Sequence, residues 1–266
     1  MYLSSIYDQI RQARQTGAKQ LAVLIDPDKE PSDDVLSVLS SGTRSGVDYL
    51  FVGGSLLVQG ETDACVARLR THSSLPIVLF PGNHIQLSDH ADAILLLSLI
   101  SGRNPDFLIG QHVVAAPALR KSKLEIIPTG YLLIDGGSPT AASYISNTMP
   151  IPANKPEIAA ATAMAGEMLG LQLIYLDAGS GAKQPVRPEL IAEVRRHTDV
   201  PILTGGGIHS PEQAMAAAKA GADLIVIGTA FEKYPEQLPA IASSLKRIST
   251  ATLAHPTKGT GKLDFL

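Results

Sequence analysis

The sequence predicts a (β/α)8 barrel of the TIM class, modified so that the helix between its third and fourth strands is missing or vestigial. Two patterns carry this expectation: eight short apolar runs separated by helical or turn-rich segments, and glycine-rich closures on the last two runs. The runs are Leu21 to Ile25, Tyr49 to Val52, Ile77 to Phe80, Ala93 to Leu97, Glu125 to Ile127, Leu171 to Leu176, Pro201 to Leu203 and Leu224 to Ile227. Their hydrophobicity is continuous rather than alternating, as in parallel strands buried on both faces. A doubly wound open sheet would use the same pattern and is the second reading.

Taken in chain order, helices are expected at Asp33 to Ser41 after Pro31, and at Glu61 to Thr71. The third and fourth runs are joined by Pro81 to Asp92, a short segment with Pro, Gly, Asn and two His, too broken for a full helix. After the fourth run comes Ser101-Gly102-Arg103-Asn104-Pro105, where Arg103 offers a phosphate ligand and Asn104 a helix cap; the cap is the favoured reading. Asp135 to Gly170 is a long excursion, opening on Gly136, Gly137 and Pro139, that reads as a mobile, partly irregular loop over the barrel mouth before a helix at Pro156 to Leu169. Further helices are expected at Pro188 to His197 and Pro211 to Ala220. Pro156, Pro188 and Pro211 suit a first helical turn, where the missing N–H has no partner to lose. Residues 1–250 form one domain in this reading, and 251–266, with Pro256, Gly259 and Gly261, a flexible tail.

Composition narrows the function. Twenty-two basic against 25 acidic residues leave a net charge of −3, which argues against binding nucleic acid through its phosphates. The longest apolar runs fall well short of the ~20 residues a membrane-spanning helix needs. Met1 to Arg14 lacks the charge and hydrophobic pattern of a secretory leader, and Cys65 is the only cysteine, so a cytoplasmic protein without disulfides is expected.

In such a barrel the chemistry sits where strands end, so the C-terminal closures are the informative positions. The seventh run ends in Thr204-Gly205-Gly206-Gly207 and the eighth in Gly228-Thr229, followed by a short helix. These glycines either make tight turns or let backbone amides cradle a phosphate; the adjacency of the two loops favours the cradle. Beside it, the sixth run closes in Tyr175-Leu176-Asp177-Ala178-Gly179-Ser180-Gly181. Strand alternation turns Tyr175 and Asp177 the same way, into the mouth. Asp177 is then either a cap for turn amides or a general base toward a ligand hydroxyl. The first run ends in Asp26-Pro27-Asp28-Lys29 and the second in Gly53-Gly54-Ser55. Asp26 either opens a turn or, with the Ser55 hydroxyl, shares an oxygen-liking ion such as Mg2+, provided a polyphosphate completes the shell. His84 is a weaker candidate, a loop histidine that would touch substrate or simply be solvated.

Together, these motifs resemble the geranylgeranylglyceryl phosphate synthase family, which includes the bacterial heptaprenylglyceryl phosphate synthases. The resemblance runs from Asp26-Pro27-Asp28-Lys29 to Gly228-Thr229. It is most specific in Phe51-Val52-Gly53-Gly54-Ser55, Ser98-Leu99-Ile100-Ser101-Gly102-Arg103-Asn104-Pro105, Asn154-Lys155-Pro156-Glu157-Ile158-Ala159-Ala160 and Tyr175 to Gly181. The last two stretches are closer to the geranylgeranyl-using branch.

Membership would imply transfer of a prenyl group, most simply geranylgeranyl, from its diphosphate to the C3 hydroxyl of sn-glycerol 1-phosphate. It would also imply Mg2+ at Asp26 and Ser55, and a glycerol phosphate site formed by Tyr175, Leu176, Asp177, Ala178, Gly179, Ser180, Gly181, Gly206, Gly207, Gly228 and Thr229. Asp177 and Tyr175 would carry the catalysis. Asp177 stands where many members have glutamate, so its carboxylate reaches one methylene less far. Dimers or hexamers, and transient contact with a membrane surface, belong to the same expectation. An apolar trench for the prenyl tail is expected along the barrel top and down the gap left by the lost helix. The competing reading within enzymes is a phosphate-binding barrel, an isomerase or cyclase acting on a sugar phosphate, whose activity would not require an allylic diphosphate together with Mg2+.

Overall fold

Eight parallel strands close on themselves in sequence order: β1 Gln20–Ile25, β2 Tyr49–Val52, β3 Ile77–Leu79, β4 Ala93–Leu99, β5 Glu125–Leu133, β6 Leu173–Asp177, β7 Ile202–Gly205 and β8 Leu224–Ile227. The structure, a computed structural model, describes residues 5–29, 33–40 and 46–252. Because β1 pairs with both β2 and β8, the sheet has no edge, which excludes the doubly wound reading.

The continuous apolar runs have a simple cause: each face of the sheet has its own core. Ala22, Tyr49, Phe51, Val78, Leu95 and Leu203 point inward and fill the barrel. Their neighbours Leu21, Val23, Leu50, Val52 and Ile202 point outward against the helices.

Helix α1, Ile6–Thr16, closes the N-terminal end of the barrel and has no counterpart among the sequence expectations. Its Ile6 and Ile10 join the interior core. Glu125, at the start of β5, accepts from the Ile6 and Tyr7 amides at 2.6 and 2.9 Å, satisfying donors that a first helical turn leaves open. The remaining helices are α2 Asp33–Ser40, α3 Thr62–His72, α4 Gln111–Leu119, α5 Ala141–Ser146, α6 Pro156–Met168, α7 Pro188–His197, α8 Pro211–Ala220, α9 Thr229–Lys233 and α10 Leu238–Thr252. A π-helical turn, Asp106–Gly110, leads into α4. Asn104 caps this segment as expected: its Oδ1 accepts from the Asp106 amide at 3.1 Å. Between β3 and β4 there is no helix, only turns. No helix among the described residues is long and apolar enough to cross a membrane.

β5 departs from expectation. It runs to Leu133, past Pro128 and Gly130, where the sequence suggests a break after Ile127. Pro128 is tolerated because its carbonyl meets the Gln172 amide at 2.8 Å, where β6 has not yet begun, so its missing N–H costs no ladder bond. Gly130 is a packing requirement, since a Cβ there would stand 2.9 Å from the Cδ1 atoms of Ile100 and Ile174.

The excursion after β5 is more regular than expected. An isolated bridge joins Ile134 to Ile151, and α5 begins with a capping box at Thr140 and Ser143. Pro31 and most of the expected tail, 253–266, lie outside the described residues; Ala251 and Thr252 close α10.

Candidate active site

The parity of β6 puts Leu173, Tyr175 and Asp177 inside the barrel, and the last two reach the C-terminal mouth. Asp177 is 7% exposed and both of its oxygens are engaged. Oδ1 accepts the Gly179 amide at 2.8 Å, and Oδ2 accepts the Tyr131 hydroxyl at 2.6 Å. The turn-cap role is therefore real, and it leaves a buried carboxylate at the mouth with lone pairs to spare. Burial pushes the Asp177 carboxyl above the ordinary aspartate value, and the Tyr131 and Gly179 hydrogen bonds only partly oppose this. Burial, followed by the Asp177 charge, lifts the Tyr131 and Tyr175 phenols well above theirs, so both remain protonated donors.

Tyr131 is the residue that sequence reading missed, because it lies on the unforeseen half of β5. Its signal was the apolar stretch Tyr131-Leu132-Leu133-Ile134 beyond Pro128. Its ring, with those of Phe80 and Tyr175, forms a triangle of centroids 5.1, 5.6 and 6.0 Å apart. These distances suit mutual aromatic packing and leave an electron-rich floor beneath the mouth.

Glycine shapes the neighbouring wall. A Cβ on Gly205 would lie 2.4 Å from the Tyr175 hydroxyl. Gly206, at φ +78°, would put one 2.6 Å from the Gly179 nitrogen and 2.8 Å from Asp177 Oδ1. The loop after β7 can approach the loop after β6 only without side chains. Ser180, Gly181, Gly206, Gly207, Gly228 and Thr229 line one cavity together with Tyr175 and Asp177. Leu176 and Ala178 do not; their side chains pack in the outer core. Gly179 spends its amide on Asp177.

Asp26 and Ser55 border the same cavity from the loops after β1 and β2, with Lys29 and, from α9, Glu232. Lys29 Nζ stands 2.9 Å from Glu232 Oε2 and 3.4 Å from Asp26 Oδ2. Burial pulls the Lys29 pKa down, but the two carboxylates outweigh it and the net displacement is upward. The lysine stays charged beside Asp26. Among the described residues no three His, Cys, Asp or Glu side chains converge on a metal position.

A second, mostly apolar groove opens from this cavity, sharing Gly54, Ser55, Phe80, Tyr131 and Ala142 with it. It passes Leu97, whose side chain belongs to the barrel interior, and then follows the outer side of β4 past Leu96 to Ile94 and Leu119, where a barrel would normally place a helix. His84 lines it, its Nδ1 2.6 Å from Gln111 Oε1. Arg103 lies elsewhere, in a polar hollow beside Asn147 and Thr148.

Known proteins resemble this chain over most of its length. The geranylgeranylglyceryl phosphate synthase of Spirosoma linguale is 52% identical over 244 residues, covering 92% of this chain and 98% of that protein. Its namesake in Thermococcus kodakarensis is 47% identical over 212 residues, covering 79% and 83%. The crystal structure of (S)-3-O-geranylgeranylglyceryl phosphate synthase from Thermoplasma acidophilum, in complex with substrate sn-glycerol-1-phosphate, superposes with a TM-score of 0.85 at 30% identity, covering 92% of this chain and all of that one. The sequence profile of the PcrB family matches residues 12–245, from α1 to α10 and so across every strand end described above, and the chain belongs to that family.

Proposed function

We propose that the protein transfers a geranylgeranyl group from its diphosphate to the C3 hydroxyl of sn-glycerol 1-phosphate, releasing diphosphate and forming a glyceryl ether. One observation carries the reading: a single mouth joins a glycine-walled pocket, a buried carboxylate, an Asp26–Ser55–Lys29 wall and an apolar groove. A sugar-phosphate isomerase would have no use for the groove.

Glycerol phosphate is held with its phosphate on the backbone of Gly206, Gly207, Gly228 and Thr229, and its hydroxyl toward Asp177. As the ether C–O bond forms, that hydroxyl proton passes to Asp177, whose raised pKa makes it a better base than an exposed aspartate. Positive charge developing on the allylic carbon is met by the Asp177 carboxylate and the faces of Tyr131, Tyr175 and Phe80. The C–O bond to diphosphate breaks at the wall formed by the loops after β1 and β2, where Lys29 offers a cation.

Asp26 and Ser55 supply hard oxygen donors, and Gly54 stands so near that a Cβ there would be 3.3 Å from Asp26 Oδ1. One carboxylate and one hydroxyl suit Mg2+ when diphosphate oxygens complete the shell. The ion would neutralise charge on the departing diphosphate. The tail lies along Leu97, Leu96 and Ile94, each buried CH2 contributing about 0.8 kcal/mol.

The test is incubation with sn-glycerol 1-phosphate, Mg2+ and prenyl diphosphates of graded length, with the lipid product identified by mass. A 20-carbon ether is expected; absence of any ether from every donor refutes the proposal.

A further inference from the structure

The segment carrying Ser55, residues 53–60, has neither helix nor strand, and Leu56, Val58 and Gln59 in it are exposed. An arm of that kind would ordinarily move. Two side chains hold it, one from each neighbouring loop.

From the loop after β1, the Asp28 carboxylate accepts three consecutive amides: Val58 at 2.8 Å through Oδ2, and Gln59 at 3.0 Å and Gly60 at 2.6 Å through Oδ1. The loops are pressed together there, since a Cβ on Gly60 would stand 2.2 Å from the Pro27 carbonyl oxygen. The backbone amide of Asp28 meanwhile donates to Asp26 Oδ1 at 3.1 Å. One residue thus orients the Asp26 carboxylate with its main chain and fixes the Ser55 arm with its side chain.

From the segment between β3 and β4, Gln86 closes the other end. It is 1% exposed, a burial that an amide side chain tolerates only when its hydrogen bonds are met. Its Nε2 donates to the Gly54 carbonyl at 2.9 Å, and its Oε1 accepts from Gly82 at 3.1 Å and, more weakly, from Gly54 at 3.4 Å. The carboxamide pairs with Gly54 as a neighbouring strand would. Gly82 packs so closely that a Cβ would lie 2.3 Å from the Gly54 oxygen and 2.8 Å from that of Ser55.

We propose that Asp28 and Gln86 are positioning residues that clamp the Ser55 arm against Asp26 and thereby set the affinity of the leaving-diphosphate side of the site. This rests on the functional reading above. Neither side chain need touch substrate. Their effect should fall on diphosphate and its ion, because the glycerol phosphate wall is built from the loops after β6, β7 and β8.

The test compares the full-length wild type with Asp28→Ala, Asp28→Asn and Gln86→Met. Three readouts are taken: calorimetric binding of inorganic pyrophosphate with Mg2+, KM for each substrate, and hydrogen exchange at Gly54 and Val58–Gly60. Loss of partners that orient ligands typically costs about 10- to 100-fold in affinity. Asp28→Ala and Gln86→Met should weaken pyrophosphate–Mg2+ binding and raise the prenyl diphosphate KM by that factor. The glycerol phosphate KM should stay within about twofold, and exchange should quicken at the freed amides. Asp28→Asn, which keeps an acceptor oxygen, should recover part of the loss.

Unchanged exchange, or equal weakening of both substrates, overturns the clamp. Gln86 is buried, so Asp28, which is only partly buried, keeps the test decisive if Gln86→Met folds poorly. A wild type that binds no pyrophosphate with Mg2+ and makes no ether sinks the functional reading itself, and the positioning role with it; failure confined to the variants' behaviour touches the clamp alone.

Discussion

Tyr131→Phe removes one oxygen atom and asks whether the hydroxyl 2.6 Å from Asp177 tunes the base. The ring stays, so the aromatic triangle with Phe80 and Tyr175 is retained. A hydrogen bond to a charged group contributes about 1.5–3 kcal/mol, or about 10- to 150-fold in rate at 1.36 kcal/mol per decade. The sign follows from the donor's preference: the hydroxyl stabilises the ionised carboxylate, so losing it raises the Asp177 pKa beyond the elevation that burial already causes. The acid limb of kcat/KM should therefore move to higher pH. The deficit should be largest at acidic pH and shrink as pH rises and the carboxylate ionises again. The assay is the pH profile of prenyl transfer for both proteins, with product measured by mass. A deficit of the same factor at every pH, or an acid limb displaced downward, would refute the assignment of Asp177 as the base.

Three further outcomes are expected. Asp177→Asn should lower turnover by about 100- to 10,000-fold. It should also flatten the pH dependence of stability: because the folded carboxyl has a raised pKa, its contribution to stability is present at low pH and lost as pH rises through the folded value, and the variant has no such loss. Thermal melting of both proteins across pH checks this, and parallel curves would contradict it. Gly206→Ala should melt earlier, since a left-handed backbone carrying a Cβ costs about 1–2 kcal/mol, and should raise the glycerol phosphate KM by displacing the Gly179 turn; an unchanged KM would remove Gly206 from the cradle. Leu96→Trp should obstruct the groove midway and shift product mass toward shorter prenyl chains, and an unaltered chain preference would place the tail elsewhere.

Legibility differed between strands for physical reasons. β2 and β8 were readable to the residue because both of their faces are buried and turns bound them. β5 was not, because Pro128 and Gly130 signal a break that tertiary contacts override: one is harmless where β6 has not begun, the other makes room for Ile100 and Ile174. The same override hid Tyr131, although its partner Asp177 was visible as a strand-end carboxylate. The glycines of the loops after β7 and β8 were legible because glycine clusters at strand ends stand out in composition. Asp28 and Gln86 left none. An aspartate that gathers three amides and a glutamine that pairs with one loop look, in sequence, like ordinary turn residues; only the folded chain shows which backbone they meet.

The absent helix between β3 and β4 links the two halves of the site. Its loss leaves the outer side of β4 partly open at Leu96, above the buried Ile94, and this makes the groove. It also leaves the connection after β3 without the helix that normally anchors such a loop, and that connection packs directly on Gly54 and Ser55. Something else has to fix it, and the buried carboxamide of Gln86 does so. The groove and the cavity proposed to hold diphosphate share Gly54, Ser55 and Phe80, so on that proposal a tail seated in the groove would press on the residues beside the leaving group. Binding energy from the remote, unreactive part of the substrate can in this way be spent on aligning the reacting end. A donor shortened by several isoprene units should therefore lose kcat as well as affinity, whereas a tail that served only as an anchor would change KM alone.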